Sequence, residues 1–156
     1  MKVPTDAQAR HEASIEIGAE PEAVYDLVSD VCRMGEWSPE NLGADWVDGG
    51  TGKLGDWFDR HNKVGEREWT RACEVARADR GIDFTFVVGG VEENCTWWSY
   101  EMEAINTGTR LTERWWLVNK TPGVQAMTPE EFQQRASYVE TMLIETVAAI
   151  KVVAES

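Results

Sequence analysis

Histidine is nearly absent from this chain. His11 and His61 are the only two, and neither sits in an H-x-H or H-E-x-x-H spacing, so a zinc hydrolase centre or a structural zinc site has too few ligands. Cysteine is almost as scarce. Cys32, Cys73 and Cys95 are odd in number, widely spaced and outside any C-x-x-C pair, which argues against a disulfide framework. They read as small core or near-core residues in a reducing compartment. Neither a metal nor a cofactor is expected. Long hydrophobic runs are missing too: no stretch approaches the ~20 apolar residues of a membrane span, so stable membrane insertion is not expected. Residues 1–14 lack the apolar core of a signal peptide, and the expected location is cytoplasmic. Basic residues number 15 against 28 acidic ones, for a net charge of −13. That balance disfavours nucleic acid and anionic membrane surfaces, which demand clustered positive charge, and suits a well-solvated surface. The common catalytic signatures are also missing. There is no G-x-S-x-G elbow and no convincing Cys/His pair, and Gly49-Gly50-Thr51-Gly52-Lys53 has the wrong spacing for a phosphate loop and reads as a hairpin or loop.

What is present is enough apolar residue, 42% of 156, for one ordinary domain to bury a core unaided. Residues 1–10 read as a flexible N-terminus and 11–156 as a single domain. Residues 12–17 alternate, with Ala13, Ile15 and Ile17 on one face, and predict a first strand. Pro21 opens a short helix where its missing N–H costs nothing, with Val24, Leu27 and Val28 at helical spacing. Residues 30–34 predict a second short helix ending at Gly35, and Trp37-Ser38-Pro39 leads into a loop. Strands are predicted over residues 54–64, 67–78, 82–88, 94–105 and 111–118, separated by Gly65, Asp79-Arg80-Gly81, Gly89-Gly90 and the tight-turn signal Asn106-Thr107-Gly108. Adjacent runs of this kind form an antiparallel meander. Thr128-Pro129-Glu130-Glu131 carries the capping-box pattern of a helix start. From there Phe132, Ala136, Val139, Leu143, Val147, Ile150 and Ala154 recur every three or four residues for about six turns. A helix that long with one apolar face must lie on something broad, and the sheet is the only candidate.

This order of elements resembles the helix-grip fold, and several segments carry a closer likeness. They are Ala19-Glu20-Pro21-Glu22-Ala23-Val24-Tyr25-Asp26-Leu27-Val28-Ser29-Asp30, then Arg33-Met34-Gly35-Glu36-Trp37-Ser38-Pro39-Glu40, then Trp69 with Cys73 and Val75, then Trp98-Ser99-Tyr100-Glu101-Met102, and Gly108-Thr109-Arg110-Leu111-Thr112-Glu113. Together they resemble the START/Bet v 1-like (SRPBCC) superfamily, in particular its polyketide cyclase/dehydrase-like branch, over residues 11–154. The fold this implies is α+β: a curved antiparallel sheet of six to seven strands wrapped around a long C-terminal helix, with two short helices after strand 1. The resemblance also implies a deep cavity between sheet and helix, in which relatives hold sterols, lipids, hormones, polyketide intermediates or other apolar molecules. Some relatives use a few polar cavity residues to guide dehydration and ring closure, and no cofactor is generally required. Because the fold serves binders, carriers and enzymes alike, it does not by itself select among them.

Strand alternation assigns faces, and a slip of one residue would invert any of them. Trp98, Tyr100 and Met102 are expected to face inward opposite Leu111, Glu113, Trp115 and Leu117. Phe58, Arg60 and Asn62 share one face, Trp69, Arg71, Cys73 and Val75 another, and Phe84 and Phe86 a third. The helix adds Phe132, Ala136, Val139, Leu143 and Val147. Eight tryptophans supply large rigid surfaces that can wall a pocket, although the same stripes could fill a solid core. Trp37 falls where this fold has its cavity mouth, either gating it or closing the end of the core. Glu113 is the candidate catalytic group: a carboxylate facing an apolar hollow must be paired, hydrogen-bonded or protonated, and it could act as general acid or base. Alternatively it pairs with Arg60 or Arg71 across the sheet. Asn62 anchors a strand or positions a ligand. The function expected first is binding of a small apolar or amphipathic molecule, a lipid, polyketide or aromatic metabolite, in an internal cavity. The alternatives are a cofactor-independent polyketide cyclase, aromatase or dehydratase acting as a lyase, and a non-catalytic stress or scaffold protein with a vestigial cavity. Edge strands could support a homodimer, and nothing in the pattern demands one.

Overall fold

The computed structural model describes residues 7–156. Along them run β1 (Ala9–Ile17), α1 (Pro21–Val28), a 3-10 helix (Val31–Glu36), β2 (Asn41–Trp46), β3 (Trp57–Val64), β4 (Arg67–Asp79), β5 (Asp83–Val88), β6 (Thr96–Ile105), β7 (Gly108–Leu117), α2 (Pro122–Gln125) and α3 (Pro129–Ala154). The seven strands form one antiparallel sheet in the order β1-β7-β6-β5-β4-β3-β2. Register shifts between Asn41 and Gly43 and between Val75 and Arg77 bend the strands that carry them and help the sheet to curve. The helix-grip arrangement expected from the sequence is therefore what the chain adopts.

α3 runs 26 residues, about 39 Å at 1.5 Å per residue, across the concave side. Thr128 Oγ1 accepts the Glu131 N–H at 3.1 Å, and Glu131 Oε1 accepts the Thr128 N–H at 3.0 Å, so the capping box is closed at both ends. At the other terminus Lys151 Nζ donates to the Glu16 carbonyl at 2.8 Å and the Gly18 N–H donates to Glu155 Oε2 at 2.8 Å, tying the helix to the end of β1. Val139, Leu143, Val147 and Ile150 are buried against the strands. α1 and the 3-10 helix plug the neighbouring end of the curved sheet with Val24, Val28, Val31 and Met34, all fully buried.

Several local expectations are corrected. β1 starts at Ala9, so Ala9 and Arg10 of the expected flexible N-terminus pair with Leu117 and Trp116; residues 1–6 of that segment lie outside the described residues. β2 occupies a stretch where no strand was expected, because the Gly43 irregularity breaks its alternation. The second short helix is 3-10 in form and runs to Glu36. β3 begins at Trp57 rather than 54, since the preceding turn is wound around Asp56. Its Oδ2 accepts the N–H groups of Thr51, Gly52 and Lys53 at 2.9, 3.1 and 2.9 Å. A carboxylate of the chain itself thus takes the place a phosphate would occupy in a glycine-rich loop. Of the cysteines, Cys73 and Cys95 are buried while Cys32 is exposed. The β6–β7 turn forms where Asn106-Thr107-Gly108 signalled it. Gly108 has φ +138°, and a Cβ there would stand 2.2 Å from the Ile17 carbonyl oxygen, so no other residue fits without displacement.

Candidate functional site

Side-chain size divides the interior into two halves. Toward α1 it is solid: Phe58, Phe84 and Phe86 are fully buried, with Phe58 and Phe86 edge-on at 5.1 Å and Tyr25 edge-on to Phe84 at 6.1 Å. Toward the start of α3 the walls separate and leave a cavity of about 650 Å³, within the ~300–1,000 Å³ range of small-molecule pockets. Its apolar wall comes from Trp69 on β4, Trp98 on β6, Trp115 and Leu117 on β7, and Phe132 and Ala136 on α3, with Val124 and Met127 closing over from α2 and the turn after it.

Of the residues expected to bind a ligand, Arg60, Asn62, Trp69, Trp98, Trp115, Phe132 and Ala136 line this cavity. The others are corrected to positions in the packed half. Phe58, Cys73, Val75, Phe84, Phe86, Tyr100, Met102, Leu111, Val139 and Leu143 all face inward and are buried, but none borders the cavity. Alternation fixes the face of a strand and says nothing of position along it, and opposing side chains meet where α1 narrows the interior. Trp37 is no gate. It is 3% exposed at the end of the 3-10 helix, which turns its indole into the core.

The polar lining is organised around an ion pair that alternation could not reveal. Glu40, 1% exposed, accepts Arg135 Nη1 on Oε2 at 2.8 Å and Arg135 Nη2 on Oε1 at 3.0 Å. Burial opposes ionisation of Glu40, but the hydrogen bonds and charge of Arg135, with the charge of Arg60, outweigh it and hold the carboxyl below its ordinary value. Arg60 Nη1 lies 3.9 Å from Glu40 Oε1. Its Nε donates to Met34 Sδ at 3.3 Å and its Nη2 to Ser38 Oγ at 3.4 Å, and its guanidinium carbon stands 5.1 Å from the Trp98 ring centre. Asn62 anchors a strand: its Oδ1 accepts Asn41 Nδ2 at 3.4 Å, and Asn41 in turn bonds the His61 carbonyl and the Gly43 N–H. Arg135 carried one sequence signal, its place beside Ala136 at the edge of the apolar stripe. Glu40 carried none.

Glu113 is fully enclosed, between Ala13 of β1 and Tyr100 of β6 in the strand register, and it forms no ion pair with Arg60 or Arg71. Two buried side-chain polar atoms among the described residues lack a hydrogen-bond partner, Glu113 Oε2 and Trp37 Nε1. Burial pushes the Glu113 carboxyl up to about 8, offset in part by the Tyr100 hydroxyl facing it and by the charge of Arg60. Tyr100 is in turn raised well above the ordinary phenol value, mainly by burial. Glu113 is therefore a neutral acid at pH 7, held beneath the cavity and off its wall. Burial pushes the Cys73 thiol to about 12, which makes it inert as a nucleophile. Among the described residues no His, Cys, Asp and Glu side chains gather in a group fit for a metal, and no helix is long and apolar enough to cross a membrane.

Comparison with known proteins bears on both family and fold. The sequence model of the family described as polyketide cyclase/dehydrase and lipid transport matches residues 8–145. Among solved structures, the polyketide-cyclase-like protein Cgl2372 from Corynebacterium glutamicum is 33% identical over 94% of this chain and 91% of its own, with a TM-score of 0.67. The di-domain ARO/CYC protein StfQ from the steffimycin biosynthetic pathway superposes with a TM-score of 0.71 at 10% identity, over 96% of this chain and 50% of StfQ. Major latex-like protein 151 from Panax ginseng does so with 0.67 at 13% identity, over 95% and 98%. These last two matches show the fold alone. No curated protein matches the chain by sequence.

Proposed function

The chain belongs to the polyketide cyclase/dehydrase and lipid transport family, a branch of the START/Bet v 1-like superfamily, and on that premise we propose that it holds a small apolar or amphipathic molecule, such as a lipid, polyketide or aromatic metabolite, under the first turns of α3. The observation that carries this reading is the cavity of about 650 Å³ walled by Trp69, Trp98, Trp115, Leu117 and Phe132. Removing roughly 500 Å² of apolar surface from water, ligand and wall together, is worth about 12 kcal/mol. At least ~4 kcal/mol goes to lost freedom of motion, which leaves at most about 8 kcal/mol and a dissociation constant no tighter than roughly micromolar. A cavity of this volume also disfavours the vestigial alternative. Free Cys32, Cys73 and Cys95 fit a reducing compartment, so a cytoplasmic setting is part of the same proposal.

A second reading, cofactor-independent cyclisation or dehydration, draws support from Glu113. A carboxyl raised to about 8 keeps a proton near neutrality and suits a general acid. Its position off the cavity wall favours binding over catalysis. Native mass spectrometry of gently purified protein, followed by extraction and identification of the bound molecule, tests the first reading. The expected result is a stoichiometric apolar ligand whose readdition raises the melting temperature. Protein that stays empty and is stabilised by no apolar compound would refute it. Loss of a demonstrated turnover in Glu113→Gln would instead favour the second.

A further inference from the structure

Positive charge is concentrated in the cavity to a degree the composition does not foretell. In a chain of net charge −13, Arg60, Arg67, Arg71 and Arg135 line it against only two carboxylates, Glu40 and Glu131. Both acids are already engaged. Glu40 accepts two hydrogen bonds from Arg135, and Glu131 closes the capping box of α3. Arg60 has its own partners in Glu40, Met34 and Ser38. Among the described residues, the side chains of Arg67 and Arg71 make neither an ion pair nor a hydrogen bond, although Glu93 reaches the neighbourhood of Arg71.

Strand register sharpens the point. Arg60 on β3 pairs directly with Arg71 on β4, Asn62 with Trp69, and Val64 with Arg67, and all six border the cavity. Two guanidinium groups directly opposite on one face repel, which weakens a sheet. An anion between them would turn that repulsion into two attractions. The next charge along β4, Arg67, lies over the Trp69 ring with its guanidinium carbon 5.1 Å from the centre, flanking the same panel. Arg71 is half-buried, where a charge interacts more strongly than in bulk water, and the fork of an arginine matches the two oxygens of a carboxylate.

We propose that the Arg60–Arg71–Arg67 panel binds the anionic group of an amphipathic ligand, a carboxylate or another single oxyanion, while the ligand's apolar body runs toward Trp98, Trp115 and Phe132. This deepens the ligand-binding reading and rests on it.

A matched pair of fluorescent probes separates the two. N-phenyl-1-naphthylamine is neutral, and 8-anilinonaphthalene-1-sulfonate presents the same aromatic body with one oxyanion. Titrated into the full chain, the sulfonate is expected to bind about tenfold more tightly than the amine, with the preference shrinking as salt rises. Dodecanoate is expected to displace it more effectively than dodecanol. Arg71→Gln, checked for folding by circular dichroism, is expected to lower the sulfonate-over-amine preference about tenfold, and Arg71→Lys to retain part of it. Equal affinities, or a preference unmoved by Arg71→Gln, overturn the anionic assignment alone. Uptake of neither probe and neither dodecyl compound overturns the ligand-binding reading and this inference with it.

Discussion

Glu113→Gln preserves the size and shape of a fully buried side chain while abolishing its titration, so any difference in pH dependence between variant and parent belongs to that carboxyl. In the folded protein the group titrates at about 8, against an ordinary value of 4.5. The folded state therefore keeps a proton that the unfolded chain releases. The contribution to stability is complete below about pH 4.5 and declines as pH rises toward about 8. The slope is about 1.4 kcal/mol per pH unit, so the parent should lose roughly 3 kcal/mol between about pH 5 and pH 7.5 that the glutamine variant keeps. Tyr100, pushed well above the ordinary phenol value by burial, stays neutral throughout this window and does not mask the effect. Urea unfolding followed by tryptophan fluorescence, repeated at half-unit steps of pH, measures the difference directly. The variant should match the parent near pH 5 and surpass it increasingly above. Two stability profiles that remain parallel would mean that the carboxyl is ionised or wet in the folded state, and the reasoning about its burial would fail.

Three other substitutions probe the rest of the interior. Glu40→Gln leaves Arg135 and the buried Arg60 without their acid and should cost about 3 kcal/mol in urea unfolding. Because the Glu40 carboxyl is held below its ordinary value, the stability it confers is present above about pH 4.5 and is lost as pH falls through its folded value, which acid titration of parent and variant would reveal. Leu143→Ala, in the packed half, should cost about 3 kcal/mol without altering probe affinity, as unfolding and binding titrations on the same preparation would show. Thr128→Ala opens the capping box of α3 and should lower the melting temperature by about 3 °C, measured by differential scanning calorimetry.

How much of this was legible in the sequence depends on how far apart the interacting residues lie. The capping box was readable because Thr128 and Glu131 are three residues apart and satisfy one another. The inward faces of β3 to β7 were readable because alternation is a property of each strand taken alone. β2 was not, since Gly43 breaks the period of two, and α2 was not, since four residues of Pro-Gly-Val-Gln carry no periodic signal. The Glu40–Arg135 pair joins positions 95 residues apart, and nothing local to either announces that the two meet. Position along the inward faces was also hidden. Phe58 and Arg60 share a strand and a face, yet one is packed and the other borders open space. Phe58 is enclosed by Trp46 and Phe86, contacts from other strands that position along β3 does not announce.

The two halves of the interior follow from the order of residues along each inward face. From the α1 end toward the α3 start, β3 presents Phe58, Arg60, Asn62 and Val64, and β4 presents Val75, Cys73, Arg71, Trp69 and Arg67. β6 presents Met102, Tyr100, Trp98 and Thr96, and β7 presents Leu111, Glu113, Trp115 and Leu117. β3 and β4 pass from tightly packed apolar groups to arginine, and the cavity begins where they do. α3 follows the same gradient in reverse order, from Ile150, Val147, Leu143 and Val139 in the packed half to Ala136 and Phe132 at the cavity. Stability can then reside mainly in one half, which holds the largest fully buried apolar side chains, and recognition in the other, where Arg67 and Arg71 have no ion-pair partner among the described residues. Glu113 sits at the boundary. It lies two residues before Trp115 on β7, opposite Tyr100 on β6, close enough to feel the charge of Arg60, and it does not border the cavity.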